Sequence, residues 1–341
     1  MQRSKLIKIG KRILQIGLPV VILALFIISV QRNWNELTSY KFEWNPWFLA
    51  LGFLGFLLQE LSYGLIWRKV LMRLGAQLDL RAALRIYLAS EFVRYIPGNV
   101  WHVLTRILWV KKYGVSRPVA FASMTIELIT KLAAGALIFA FSLLFWSDIG
   151  AIQILLHGTP IVIGLGVALA LGLLVGLHPR VLNGVMSFGL RLLKRDPVVL
   201  TLRYSDILLI TLYWLVSWAI AGTAFYLLLL SLLPAVPISV LPICIGIYAI
   251  AWDIGFVSFI TPSGLGFREG AIVGLFALSV PFVPGTIAGI LALFSRLVST
   301  VAELVCVSIA YVSGGKQVPV GPSDEADVPS GVSIQGGVGD D

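Results

Sequence analysis

Two apolar stretches of this chain are interrupted by the same kind of segment, and this pair of interruptions constrains the fold most strongly. Residues 90–101 have the sequence SEFVRYIPGNVW, and residues 259–270 have the sequence FITPSGLGFREG. Pro and Gly break helices and free backbone N–H and C=O groups, which in lipid must be buried in protein or line a wet cavity. Matching interrupted segments in the two halves of a membrane chain are typical of a transporter's binding site.

The composition predicts an all-α polytopic membrane protein. Of the 341 residues, 58% are hydrophobic and 13% are charged, whereas about 25% of residues are charged in an ordinary soluble domain. A transmembrane helix needs about 20 mostly apolar residues. Unbroken runs of that kind predict six full transmembrane helices, at about residues 13–30, 47–67, 118–146, 152–177, 207–232 and 285–312. Two further apolar regions, at about residues 82–113 and 238–280, contain the breaks.

The distribution of Lys and Arg predicts which side of the membrane each connection faces. Basic residues lie on both sides of the first broken region, which is therefore predicted to be a re-entrant helix pair entered from the cytoplasm. The ends of the second broken region carry no charge, so this re-entrant pair is predicted to be entered from outside. The order of span, re-entrant pair and span then occurs in residues 47–146 and again, inverted, in residues 207–312, as in an inverted-topology repeat. In an alternative with the same sidedness, the arms of each broken region cross completely.

Three regions are predicted along the chain. Residues 1–12 form a basic cytoplasmic N-terminus, and residues 13–313 form the transmembrane domain. Residues 314–341 are rich in Gly, Pro, Ser and Asp and predict a disordered cytoplasmic tail. Both termini are therefore expected in the cytoplasm.

The same data argue against several functional classes. The formal net charge of +9 suits an anionic lipid surface better than a nucleic-acid groove, because the basic residues lie between apolar spans. Cys244 and Cys306 lie in apolar runs, and the three histidines are scattered. We therefore expect no metal site and no cofactor. Since no nucleophile–base set emerges, the chain is not expected to be an enzyme.

Ionisable residues inside the apolar runs are the main candidates for function. A charge at the bilayer centre costs on the order of 3 kcal/mol on insertion scales, so these side chains are predicted to face the protein interior. One interpretation is that they form structural ion pairs, and Glu127 and Lys131, which share one helix face, fit it well. The other is a polar cavity at the helix breaks, where helix N-termini and arginines favour an anion such as a lipid phosphate. The acidic residues would then pair with the arginines in the empty state or hold a cationic headgroup.

The candidate substrate-binding residues combine these charges with the residues of the two breaks. They are Glu91, Arg94, Pro97, Gly98, Asn99, Trp101, Arg106, Glu127, Lys131, Asp253, Pro262, Ser263, Gly264, Gly266, Arg268, Glu269, Arg296 and Glu303.

The motifs at the breaks resemble one known family. The segment SEFxRYIPGxxW at residues 90–101, with Arg106 and KxGVS at 112–116, resembles the transmembrane region of lysylphosphatidylglycerol synthases. The segment PSGLGxREG at residues 262–270 is similar to the second signature of that family, with Ser263 in place of a usual Gly. The resemblance covers about residues 10–312. It implies a stand-alone form of the flippase module, which in multidomain relatives moves aminoacylated phospholipid from the inner to the outer leaflet, and it does not imply a synthase.

The sequence therefore predicts a multi-pass lipid flippase or transporter in the plasma (inner) membrane of a prokaryote. Its expected partner is a membrane phospholipid or a polyprenyl-phosphate lipid, and not a nucleic acid. A homodimer and a complex with a lipid enzyme are both open. The alternative function is that of a non-transporting accessory subunit of a lipid-modifying enzyme; buried mixed charges favour transport.

Overall fold

The computed structural model describes residues 44–92, 101–146, 159–184, 202–258 and 264–312, and all its regular elements within these ranges are helical. The predicted span at 13–30, both terminal regions and the centres of both breaks lie outside the described residues. These described ranges contain nine helices of eight or more residues. They are α1 (Pro46–Arg73), α2 (Leu80–Phe92), α3 (Trp101–Lys111), α4 (Arg117–Ser142), α5 (Thr159–Gly176), α6 (Tyr204–Leu232), α7 (Leu241–Val257), α8 (Phe267–Ser279) and α9 (Gly285–Val312).

Local sequence signals start and stop these helices. The side chain of Asn45 accepts hydrogen bonds from the N–H groups of Trp47 and Phe48 at 3.0 and 3.4 Å, and Pro46 occupies the first turn of α1. Gly75, just after α1, has a φ of 81°, a conformation that glycine adopts readily. The boundary of α1 thus follows from residues that the sequence alone displays.

Helix length separates the elements into two groups. Among the described residues, five helical segments are long and apolar enough to cross a membrane: Pro46–Arg73, Arg117–Phe145, Tyr204–Leu232, Ile238–Val257 and Gly285–Ala310. By contrast, α2, α3 and α8 have 13, 11 and 13 residues. At 1.5 Å per residue each extends about 20 Å or less, which is shorter than the hydrocarbon core of about 30 Å.

The predicted spans at 47–67, 118–146, 207–232 and 285–312 coincide with α1, α4, α6 and α9. The predicted span at 152–177 is described only from residue 159 onward, as α5. The first arm of the second broken region differs from a short re-entrant arm, because with its preceding 3₁₀ turn it reaches 20 residues. That length is enough for a crossing, as in the alternative with fully spanning arms.

The helix contacts are symmetric under exchange of the two halves. The most extensive contact joins α1 to α6. α4 packs on α6 and α7, and α9 packs correspondingly on α1 and α2. Exchanging α1, α2, α3 and α4 with α6, α7, α8 and α9 therefore maps the main contacts onto one another. The repeat and its inverted orientation in the membrane both stay predictions.

Small residues bring the first helices of the two halves close together. A Cβ added to Gly55 of α1 would lie 2.7 Å from the Cβ of Ala224 on α6. Small residues at such positions allow close backbone approach between membrane helices. The outer faces instead carry exposed large apolar side chains, such as Leu104, Leu108 and Leu297, as expected of surfaces that face lipid.

Candidate functional site

A cavity of about 330 Å³ lies between the two halves. Its walls come from α1 to α4 on one side and from α7 to α9 on the other, with Gly264 just before α8. The charged lining residues are Glu60, Glu91, Arg106, Glu127, Lys131, Arg268, Arg296 and Glu303. Four of these eight are acidic and four are basic, so the lining is formally neutral. What distinguishes the four basic side chains is the group that each one contacts.

Arg106 on α3 is fully engaged by polar partners. Its Nη1 donates to Glu127 at 2.8 Å, its Nη2 donates to Glu91, and its Nε donates to Ser90 at 2.9 Å. The hydroxyl of Tyr87 donates to Glu127 at 2.7 Å, and the guanidinium lies 3.9 Å from the centre of the Tyr87 ring. Arg106 is 1% exposed. This network joins α2, α3 and α4, so it connects the helix before the first break to the two helices after it.

The second half contains a corresponding ion pair with the signs exchanged. Arg296 on α9 donates to Glu269 on α8 at 2.6 Å, and the other oxygen of Glu269 accepts from the N–H of Gly266 at 2.6 Å. Glu269 thereby caps the N-terminus of α8, where a carboxylate also meets the positive end of the helix dipole. In the first half the short helix carries the Arg and the long helix the Glu; here the order is reversed. The helix N-terminus at the second break is therefore already partly satisfied by the protein.

Arg268 is different, because its guanidinium has unused donors. It lies 4.8 Å from the centre of the Tyr248 ring on α7. Its Nε and Nη2 atoms are buried, and neither has a hydrogen-bond partner within the part of the chain that the structure describes. An unsatisfied buried donor on a charged group costs at least about 1–3 kcal/mol. A bound anion at this position would remove that cost.

The position of Arg268 depends on a close contact between two glycines. A Cβ added to Gly264 would clash with the backbone of Gly255, and Gly264 has a φ of 66°. A Cβ on Gly255 would lie 3.1 Å from the Cβ of Arg268. Both glycines line the cavity. Only residues without a side chain allow the backbone at position 264 to lie this close to the backbone of α7 at position 255.

Lys131 on α4 is held by aromatic rings. Its Nζ lies 3.7 Å from the ring centre of Tyr63 and 4.0 Å from that of Trp252. The ring centres of Trp214 and Trp218 lie 5.1 and 5.8 Å away. Distances below about 6 Å are those of cation–π interactions. Lys131 also interacts electrostatically with Glu127, but the close polar partners of Glu127 are Arg106 and Tyr87.

The structure brings many of the predicted site residues together. Eight line the cavity: Glu91, Arg106, Glu127, Lys131, Gly264, Arg268, Arg296 and Glu303. Gly266 and Glu269 contact one another at the start of α8, outside the lining set. Asp253 is buried against Gly135 of α4, likewise outside that set. Six predicted residues and one side chain lie outside the described residues: Arg94, Pro97, Gly98, Asn99, Pro262, Ser263 and the side chain of Trp101.

Aromatic residues are the part of the site that the candidate set omitted. Tyr248, Trp252 and Phe256 recur every four residues on α7 and all line the cavity. Trp214 and Trp218 have the same spacing on α6. That spacing is a recognisable signal, but aromatic residues at helical spacing also pack ordinary cores. Their contact with the ammonium of Lys131 could not be predicted, because Lys131 lies on a different helix.

The cavity brings together groups that can contact a charged ligand. No group of three or more His, Cys, Asp or Glu side chains in the described ranges could hold a metal ion. Cationic donors, carboxylates and aromatic faces meet in one cavity inside an apolar bundle. Such a site suits a charged headgroup attached to apolar chains.

Comparison with known proteins agrees with the motifs at the two breaks. No curated protein matches the chain significantly. The family model of the lysylphosphatidylglycerol synthase transmembrane region matches residues 13–306, which include every residue that lines the cavity. The protein is thus a multi-pass membrane protein, and it belongs to the family of the lysylphosphatidylglycerol synthase transmembrane region.

Proposed function

We propose that the protein is a lipid flippase or transporter. In this proposal a phosphate-containing headgroup enters the cavity and crosses between leaflets, while the acyl chains stay in the bilayer. The protein lies in the plasma membrane of a prokaryote with both termini in the cytoplasm. Family membership and the position of the cavity between two similarly packed halves support this proposal.

The observation that carries the proposal is that the guanidinium of Arg268 has unused hydrogen-bond donors. Arg106 and Arg296 already donate to carboxylates of the protein. Arg268 retains two buried donor nitrogens without partners among the described residues, and it lines the cavity. A guanidinium presents a planar fork of donors that matches two oxygens of a phosphate. Arg268 is therefore assigned the phosphate of the headgroup.

The test is translocation of a labelled phospholipid in proteoliposomes, measured separately for each leaflet. Arg268→Lys keeps the positive charge but loses the planar fork, so we expect at least about a tenfold slower rate, equivalent to ~1.4 kcal/mol. Arg73→Lys is the matched control, because Arg73 is half-exposed and pairs with Asp206 at 2.5 Å, away from the cavity. The control should translocate like the wild type.

Two results would contradict the proposal. Near wild-type translocation by Arg268→Lys, at equal amounts of reconstituted protein, would exclude bidentate phosphate binding by this residue. A wild-type protein that binds lipid headgroups but translocates none would instead support the accessory-subunit function.

A further inference from the structure

The rings around Lys131 form an aromatic box, defined here as Tyr63, Trp214, Trp218 and Trp252. The box is built from two ring pairs: Tyr63 contacts Trp214 at 5.3 Å between centres, and Trp218 contacts Trp252 at 5.4 Å. Three helices contribute, namely α1, α6 and α7, and Lys131 enters from α4. Tyr63, Trp252 and Lys131 line the cavity, so the box opens onto the proposed headgroup site.

A box of this kind is a cation site. Aromatic faces attract ammonium groups, and such boxes recognise quaternary ammonium ligands such as choline. Here the protein's own lysine occupies the site. The Nε1 of Trp218 donates to the backbone carbonyl of Lys131 at 3.1 Å, which ties the box to the lysine's own turn of helix. Asp253, the neighbour of Trp252, also interacts electrostatically with Lys131.

A tethered cation is difficult to displace. The ammonium of Lys131 is always present at its site. An ammonium on a lipid headgroup loses translational and rotational entropy when it binds, which weakens its binding. Removing Lys131 from the box would also leave its charge in a buried position, because Lys131 is 4% exposed. The box is therefore closed to a competing ammonium.

We propose that Lys131 fills the cation subsite of the cavity permanently, and that the protein consequently selects headgroups with a phosphate and no ammonium. This proposal rests on the proposed binding of a lipid headgroup. Arg268 lies over Tyr248 and Lys131 lies over Trp252, four residues further along α7. The two cations are thus held by neighbouring rings on one helix face. Anionic phospholipids and polyprenyl phosphates fit this description. Phosphatidylcholine, phosphatidylethanolamine and the aminoacylated phospholipids moved by multidomain relatives do not, because their headgroups carry an ammonium.

The first arm of the test uses the wild-type protein in detergent, with soluble short-chain lipids. Dihexanoyl phosphatidylglycerol and dihexanoyl phosphatidylcholine both carry one phosphodiester, and only the second carries an ammonium. Calorimetric titration should show at least about tenfold tighter binding of phosphatidylglycerol. Tetramethylammonium should not bind. Equal affinities for the two lipids, or binding of tetramethylammonium to the wild type at Glu60 or Glu303 or in the box, would overturn the proposal.

The second arm empties the box. Lys131→Ala removes the tethered cation and leaves the rings, so this variant should gain tetramethylammonium binding and lose its discrimination against phosphatidylcholine. Lys131→Met is the matched control, because it removes the charge and keeps the box filled; it should gain no tetramethylammonium binding. A folded Lys131→Ala protein without that gain would overturn the proposal. If Lys131→Ala does not fold, the wild-type comparison decides alone.

The two arms also separate this proposal from the proposed function. If the wild type binds neither lipid, headgroup binding itself is contradicted, while tetramethylammonium binding by Lys131→Ala still reports on the box. If the wild type prefers phosphatidylglycerol but translocates nothing, the selectivity stands and transport fails.

Discussion

At the scale of single residues, the buried charges of the cavity differ in the groups that they contact. Any ionisable side chain in an apolar run is expected to face the interior, and Glu127, Arg106 and Lys131 do so. The spacing of Glu127 and Lys131 suggested a pair on one helix. In the structure Glu127 accepts hydrogen bonds from Arg106, 21 residues earlier, and Lys131 lies among rings. Local spacing cannot predict contacts that depend on how separate helices pack.

The Arg106 network makes a prediction about stability. Arg106→Met leaves the buried carboxylates of Glu91 and Glu127 without their shared guanidinium, so we expect a loss of about 3–5 kcal/mol in the free energy of unfolding. Adding Glu127→Gln should recover part of this loss, with a coupling of about 0.5–3 kcal/mol. Chemical unfolding in detergent measures all three variants. The same cycle with Lys131→Met and Glu127→Gln is the control, and we expect a smaller coupling there. Equal coupling in both cycles would contradict the pairing of Glu127 with Arg106.

At the scale of elements, the breaks were the easiest features to predict and their geometry the hardest. Pro and Gly in an apolar run mark an interruption, and the short α8 does follow the second break. The sequence did not reveal that Glu269 caps α8, because the carboxylate was expected to face the cavity. Nor did it reveal that Gly255 and Gly264 touch. Both features require the arms of the break to be placed in space.

The contact between these glycines predicts a local effect on function. Gly264→Ala places a Cβ against the backbone of Gly255 in a left-handed conformation, which costs on the order of 1–2 kcal/mol before any clash. We expect displacement of Arg268 and loss of most translocation, with membrane insertion unchanged.

Gly274→Ala on α8, the helix that follows Gly264, is the control, because a Cβ there meets nothing within 4 Å. It should translocate normally, and alanine in a helix interior should stabilise the protein slightly. Normal translocation by Gly264→Ala would show that the close contact is dispensable.

At the scale of the whole molecule, hydropathy predicts where the long helices lie, and charge asymmetry predicts how they are oriented in the membrane. Four predicted spans coincide with long helices, because about 20 apolar residues are a strong constraint. The segment Ile238–Val257 is harder to classify as a re-entrant arm or as a full crossing. Its length suits a crossing, whereas the uncharged ends of the second broken region predicted a re-entrant pair. The matching Pro and Gly breaks in the two halves predicted a cavity between them. The sequence did not predict the aromatic box, because its residues come from different helices.

The predicted orientation can be tested by labelling in intact cells. In a variant without Cys244 and Cys306, Ala235→Cys should react with an impermeant maleimide from outside, because the 234–239 turn is predicted to be external. Ser330→Cys in the predicted tail should react only after permeabilisation. Labelling of Ser330→Cys in unpermeabilised cells would reverse the assignment.

The distribution of ion pairs has a consequence for motion. Arg106–Glu127 and Arg296–Glu269 each join helices of the same half, whereas small apolar residues such as Gly55 and Ala224 form the contact between α1 and α6. Sliding one half past the other leaves both networks intact and breaks the exposed pair Arg73–Asp206, which contributes about 0–1 kcal/mol. Lys131 crosses this boundary into the rings of α6 and α7, and Asp253 of α7 crosses it in the other direction to lie against Gly135 of α4. Such a displacement therefore has to break the contacts of Lys131 with Trp214, Trp218 and Trp252, whereas its contact with Tyr63 stays within its own half.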